Sequence, residues 1–145
     1  MREQVMQETK TFKQSELVLK VNRAYDTNLL DLGEWQLFID RLCGDRTYQK
    51  EAIKCAIIYL ASGQYESLKD LASYNFTINP CLRDKYATID DFLKSLQMKS
   101  KLYANIDLAT GTGKSYIIYG IAQIALGLGL VKRVLVLCPS LTIEK

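Results

Sequence analysis

The segment Ala109-Thr110-Gly111-Thr112-Gly113-Lys114-Ser115 joins a short stretch of β-compatible residues, Leu102–Leu108, to a long and almost wholly apolar run, Tyr116–Val131. Glycines one residue apart let the backbone enter left-handed conformations that other residues avoid. They also let successive N–H groups converge on an anion at the start of a helix. A second β-compatible stretch, Arg133–Cys138, follows the apolar run. Extended segment, glycine turn, buried helix and extended segment predict a βαβ unit, with parallel strands and a right-handed crossover. The expected fold class is therefore α/β, with additional helices before and within it.

With 145 residues, 48% of them apolar, the chain is long enough to bury a core of its own. Its formal net charge of +3 does not by itself call for a polyanionic partner. Cys43, Cys55, Cys81 and Cys138 are widely separated and there is no histidine, which excludes the spacings of a structural zinc site. No apolar run reaches the roughly 18 residues of a membrane span. The start, Met1-Arg2-Glu3-Gln4, is polar and unlike a signal peptide. These features predict a soluble, cytoplasmic protein with reduced thiols.

Ahead of the glycine segment the pattern is helical. Leu17, Val18, Val21 and Ala24 fit an amphipathic helix within the first 28 or so residues. Trp35, Leu37, Phe38, Ile39 and Leu42 predict a helix ended by Gly44, with Asp45 placed to cap the next. That next helix carries Tyr48, Ala52, Ile53, Ala56, Ile57 and Leu60. Further helices are expected at about Ser67–Tyr74 and Ile89–Met98, with a break at Asn79-Pro80 and a capping pair Thr88/Asp91. The resulting organisation is a helical region over 1–44, then 45–145 with a helical insertion at about 64–101.

The glycine segment matches the phosphate-loop pattern G-x-x-x-x-G-K-[ST], except that Leu108 stands where the first glycine would be. Thr110, Gly111, Thr112 and Gly113 would supply backbone amides, Lys114 would reach the β- and γ-phosphates of ATP, and Ser115 would ligate Mg²⁺. A plain glycine turn with a solvated lysine is the blander reading. The order strand, loop, helix favours phosphate.

Two flanking elements extend the match. Arg46-Thr47-Tyr48-Gln49-Lys50-Glu51-Ala52-Ile53 lies upstream and Val134-Leu135-Val136-Leu137-Cys138-Pro139-Ser140-Leu141 downstream. With the loop, they resemble superfamily 2 helicases of the DEAD/DEAH-box type, most of all the restriction (R) subunits of type III restriction enzymes, over roughly Trp35–Lys145. The resemblance implies an incomplete RecA-like P-loop domain, an ATP-dependent DNA helicase or translocase, and ATP with Mg²⁺ as cofactors. Partners would be double- or single-stranded DNA and a modification (methyltransferase) subunit, with no membrane.

It also implies residue roles. In that family the R-x-Y-Q element reads adenine. An amide such as that of Gln49 pairs with N6 and N7 together, and Arg46 would lie near the base. Pro139, Ser140, Leu141 and Thr142 match an element that touches the nucleic-acid backbone, where hydroxyls and helix-start amides meet phosphate.

The carboxylates that hold Mg²⁺ and orient the attacking water come, in the family, from a later strand. No complete catalytic set is expected in these residues, so the chain should bind ATP without hydrolysing it. A different P-loop NTPase, or a nucleotide-binding module without motor activity, are the alternatives. Trp35 reads as core rather than as a stacking residue. Asp90-Asp91 reads as first-turn acids complementing a helix dipole, and Lys99–Lys101 as a solvated basic spot.

Overall fold

The computed structural model describes residues 11–22 and 32–137. After a 3₁₀ turn at Gln14–Glu16 come six α-helices among the described residues: α1 (Gly33–Cys43), α2 (Thr47–Ala61), α3 (Leu68–Ile78), α4 (Pro80–Lys85), α5 (Ile89–Lys94) and α6 (Lys114–Gly127). They divide between two compact units, one within Met1–Asn22 and Tyr65–Ala104, the other within Arg23–Gln64 and Asn105–Lys145.

The second unit is a packing of α1, α2 and α6. Ile39 and Cys43 of α1, Ile53 and Ile57 of α2, and Ile117 and Ile124 of α6 are all essentially inaccessible to solvent. Each such isoleucine contributes about 1.5–3 kcal/mol through burial. Two glycines of α6 allow the close approach. A Cβ at Gly120 would lie 2.6 Å from Ile53 Cδ1, and one at Gly127 would lie 2.2 Å from the Trp35 ring. Trp35 therefore packs on the helix, edge-on to Phe38, and is half-buried rather than part of the inaccessible core. Gly44, at φ 55°, ends α1. Asp45 caps nothing, because Arg46 takes the N-cap position of α2 without a side-chain bond.

The first unit gathers α3, α4 and α5 around Ala72, Leu82, Phe92 and Leu93. Asn79 accepts from Cys81 N to cap α4, with Pro80 as the first helical residue. The expected cap on α5 is formed: the Thr88 hydroxyl accepts from Asp91 N. That helix stops at Lys94 rather than Met98, whose φ of 48° is left-handed. The carbonyls of Lys101 and Lys99 then accept from Leu68 N and Lys69 N at 3.0 Å, closing the start of α3.

The expected α/β class with parallel strands is not what the chain adopts. Among the described residues there is no strand: 102–109 and 133–137 carry no regular secondary structure. A strand exists through hydrogen bonds to a neighbour, and local β-propensity does not provide one. The side chains that would face a sheet lie in solvent, with Leu135 and Leu137 each about four-fifths exposed. Nor is α6 buried all round, since Tyr116, Ile118, Tyr119 and Leu126 are exposed. The amphipathic helix expected around Leu17–Ala24 is not formed over residues 18–22, which carry no regular secondary structure, and Ala24 lies outside the described residues.

Candidate functional site

The glycine loop stands at the N-terminus of α6, and both of its glycines are left-handed, Gly111 at φ 80° and Gly113 at φ 75°. Gly113 is the N-cap residue, so Lys114 and Ser115 are the first two residues of the helix. Their side chains are exposed, as are Thr110 and Gly111, whereas Thr112 and Gly113 are half-buried. The first amides of a helix lack intrahelical acceptors and carry the positive end of its dipole. Within the loop, the Thr112 hydroxyl donates to the Ala109 carbonyl at 2.7 Å.

Helix α2 holds the loop from behind. Gln49 Nε2 donates to the Thr112 carbonyl at 2.7 Å, and the Tyr48 hydroxyl donates to the same oxygen at 3.1 Å. Gln49 is fully buried. A Cβ at Gly113 would lie 2.6 Å from Gln49 Nε2, so glycine is required there twice over, for its φ and for the room it leaves. Arg46 is exposed at the start of α2, and its carbonyl accepts from Gln49 N at 3.1 Å.

The structure thus brings Gln49 to the loop, with Arg46 one helical turn before it. Tyr48, to which the sequence pattern gives no site role, is a further partner of the loop and is 42% exposed. Its position beside Gln49 in the same motif was the available signal. Pro139, Ser140, Leu141 and Thr142 lie outside the described residues.

Ion pairing fixes α2 against α1. Lys50 Nζ meets Asp40 Oδ1 at 2.6 Å, and Gln36 Nε2 donates to Asp40 Oδ2 at 3.0 Å. The Gln36 amide, then Lys50, hold the Asp40 carboxyl below its ordinary value. Burial pushes the nearby Cys43 thiol up, which keeps it protonated and unreactive.

Left-handed glycines, helix-start amides, the exposed Lys114 and the exposed hydroxyls of Thr110 and Ser115 make a set of groups that fits a nucleotide's phosphates and their Mg²⁺. Acidic ligands are not gathered into any cluster among the described residues. The residues from α2 through the loop and α6 fall within a helicase-like region. Residues 43–145 match the family described as "Type III restriction enzyme, res subunit", and the chain belongs to that family. No curated protein and no solved structure matches it.

Proposed function

We propose that these residues form the ATP-binding N-terminal part of an ATP-dependent DNA helicase or translocase of a type III restriction system. The observation that carries this reading is the loop Thr110–Ser115, with its left-handed glycines at the head of α6, inside the span matched by the family. The amides of 110–115 bind the phosphates, Lys114 neutralises the β- and γ-phosphates, and the Ser115 hydroxyl is a ligand of Mg²⁺. The Ser115 hydroxyl would hold Mg²⁺, which would supply positive charge to offset that of the phosphates. Arg46 and Gln49 serve the adenine. Gln49 is fully buried, so for that role its amide must become accessible to the base, which couples adenine recognition to movement of the residues around the loop.

Asp107, the acid nearest the loop in sequence, is exposed on a segment without regular secondary structure. On this reading these residues bind Mg-ATP without turning it over, because the family's catalytic carboxylates belong to a later strand. Pro139, Ser140, Leu141 and Thr142 contact the DNA backbone in the whole protein, weakly and without sequence preference. A modification (methyltransferase) subunit is the protein partner, and the cytoplasm is the compartment.

Titration with a fluorescent ATP analogue in the presence of Mg²⁺ tests the core of this reading. Saturable binding is expected, with most of the affinity lost in Lys114→Ala and the melting temperature unchanged, because Lys114 is exposed. Equal affinity of the two proteins would reject phosphate binding at this loop. Steady phosphate release by pure protein, abolished by Lys114→Ala, would show that the chain is catalytically competent.

A further inference from the structure

The Thr112 carbonyl accepts from two consecutive residues of α2, and the nucleotide-binding reading gives a role to only one of them. Gln49 Nε2 donates to it at 2.7 Å and the Tyr48 hydroxyl at 3.1 Å. Consecutive side chains of a helix point about 100° apart. A single oxygen met by both therefore lies over the gap between them, with the buried Gln49 on one side and the 42% exposed Tyr48 on the other.

The two donors are unequal. The Gln49 bond is short, whereas the Tyr48 bond is longer than the roughly 2.8 Å usual for a hydroxyl donor, so Gln49 is the principal partner in the ligand-free loop. Gln49 is also the less settled of the two. Its Oε1 is buried with no hydrogen-bond partner, and such an oxygen favours a state in which the amide turns to a group able to donate to it. The amino group of adenine is a donor of that kind.

Movement of the Gln49 amide would loosen the loop at a sensitive place. A Cβ at Gly113 would lie 2.6 Å from Gln49 Nε2 and 3.2 Å from Tyr116 Cδ2, so the chain just before Lys114 lies between these two side chains. Once the amide turns away, one side of it is open. The Tyr48 hydroxyl already reaches the carbonyl that the amide would release.

We propose that Tyr48 is a positioning residue for phosphate binding, whose hydroxyl keeps hold of the Thr112 carbonyl when the Gln49 amide turns to the base. The proposal rests on the ATP-binding reading of the loop and of Gln49. In the exchange the Thr112 carbonyl goes from two donors to one, and Gln49 Oε1 goes from none to one. The amides that meet the phosphates stay set while the base is read. Tyr48 should then matter more for a ligand that carries adenine than for one that does not.

The test compares Mg-ATP with magnesium tripolyphosphate, which has a chain of phosphates and no base, by isothermal titration calorimetry on the full chain. Tyr48→Phe keeps the ring and removes only the donor, from an exposed position, so the melting temperature should not change. Affinity for tripolyphosphate is expected to fall about twofold, because Gln49 still holds Thr112. Affinity for Mg-ATP should fall at least about tenfold, because Gln49 is then engaged elsewhere. In Gln49→Met neither ligand leaves a glutamine on Thr112, so adding Tyr48→Phe should weaken both by one common factor, at least about tenfold.

A role confined to the stability of α2 would move the two ligands together in the otherwise unmodified chain, whether or not the double variant folds. An equal loss for both ligands on Tyr48→Phe, or a loss for neither, would overturn the proposal while Lys114→Ala still abolished binding. Tripolyphosphate binding that Lys114→Ala leaves unchanged would instead reject phosphate binding at the loop, and the proposal with it.

Discussion

The Gln49 side-chain amide donates to the Thr112 carbonyl at 2.7 Å, while its own Oε1 is buried with no hydrogen-bond partner. The loop is thus held by a group that is only half satisfied. A buried carbonyl without a donor costs about 1–3 kcal/mol, comparable to or larger than the roughly 1 kcal/mol that a typical hydrogen bond contributes. The contact defines the loop's geometry more than it stabilises the fold, and a ligand able to donate to Oε1 would relieve the deficit.

Substitutions at Gln49 should separate these effects. Gln49→Met removes the bond and the orphaned oxygen together, with Tyr48 still on Thr112, and is expected to leave stability within about 1 kcal/mol of the parent in denaturant titrations. Gln49→Glu sets a buried carboxyl against the Thr112 carbonyl, which raises its pKa. A raised folded-state pKa means that stability is fully present below the unfolded value and is lost as pH rises through the folded one. Melting temperatures measured from pH 4 to 8 should therefore fall with rising pH more steeply in Gln49→Glu than in the parent.

Base selectivity should also depend on Gln49. Phosphates are common to all nucleoside triphosphates, so the loop by itself does not distinguish them. An amide paired with adenine is worth on the order of 1–3 kcal/mol of discrimination, by analogy with base readout in DNA. Gln49→Ala should narrow the difference between ATP and GTP affinities and leave the Lys114-dependent component in place. A parent chain that binds GTP as tightly as ATP would remove the adenine-reading role.

Gly127→Ala is expected to destabilise the second unit by about 1–3 kcal/mol, since the new Cβ would sit 2.2 Å from the Trp35 ring. Gly120→Ala meets the ends of flexible side chains, Ile53 Cδ1 and Leu42 Cδ2, so it should cost less. Thermal unfolding followed by tryptophan fluorescence compares the two directly, because Trp35 is the chain's single tryptophan.

In the first unit, Thr88→Ala should remove about 0.5–2 kcal/mol by deleting the cap on α5. Asp91 supplies a pH signature. The Thr88 hydroxyl, then Lys94, hold its carboxyl below the ordinary 3.8. A lowered folded-state pKa gives stabilisation that is present above the unfolded value and is lost as pH falls through the folded one. Asp91→Asn should therefore flatten the loss of stability at acid pH, read as circular dichroism between pH 2 and 5.

Helix positions were legible where local chemistry decides them: Gly44 ends α1, Thr88 caps α5 and Gly113 starts α6, because each acts within one turn of its own position. Asn79-Pro80 was expected only as a break, whereas Pro80 opens the short helix α4. The loop was legible for the same reason: the left-handed φ of Gly111 and Gly113 is a property of glycine. The strands expected at Leu102–Leu108 and Arg133–Cys138 were not, because a strand depends on a partner that a local pattern cannot specify.

By itself, then, the sequence determined the loop, the Lys114-Ser115 pair behind it and the family to which the chain belongs. Tertiary structure alone decided that Gln49 is buried against Thr112, that Tyr48 shares that carbonyl, and that the main chain of Lys20 and Asn22 bonds to Asn75 and Tyr65. Each of these contacts joins residues 43 or more positions apart. Their geometry follows from how helices pack, and helix packing is set by side-chain volumes and by the two α6 glycines that admit Trp35 and Ile53. Propensity and spacing describe one stretch of chain at a time, whereas a hydrogen bond between distant residues exists only once burial has brought them together and removed the water that would otherwise satisfy them.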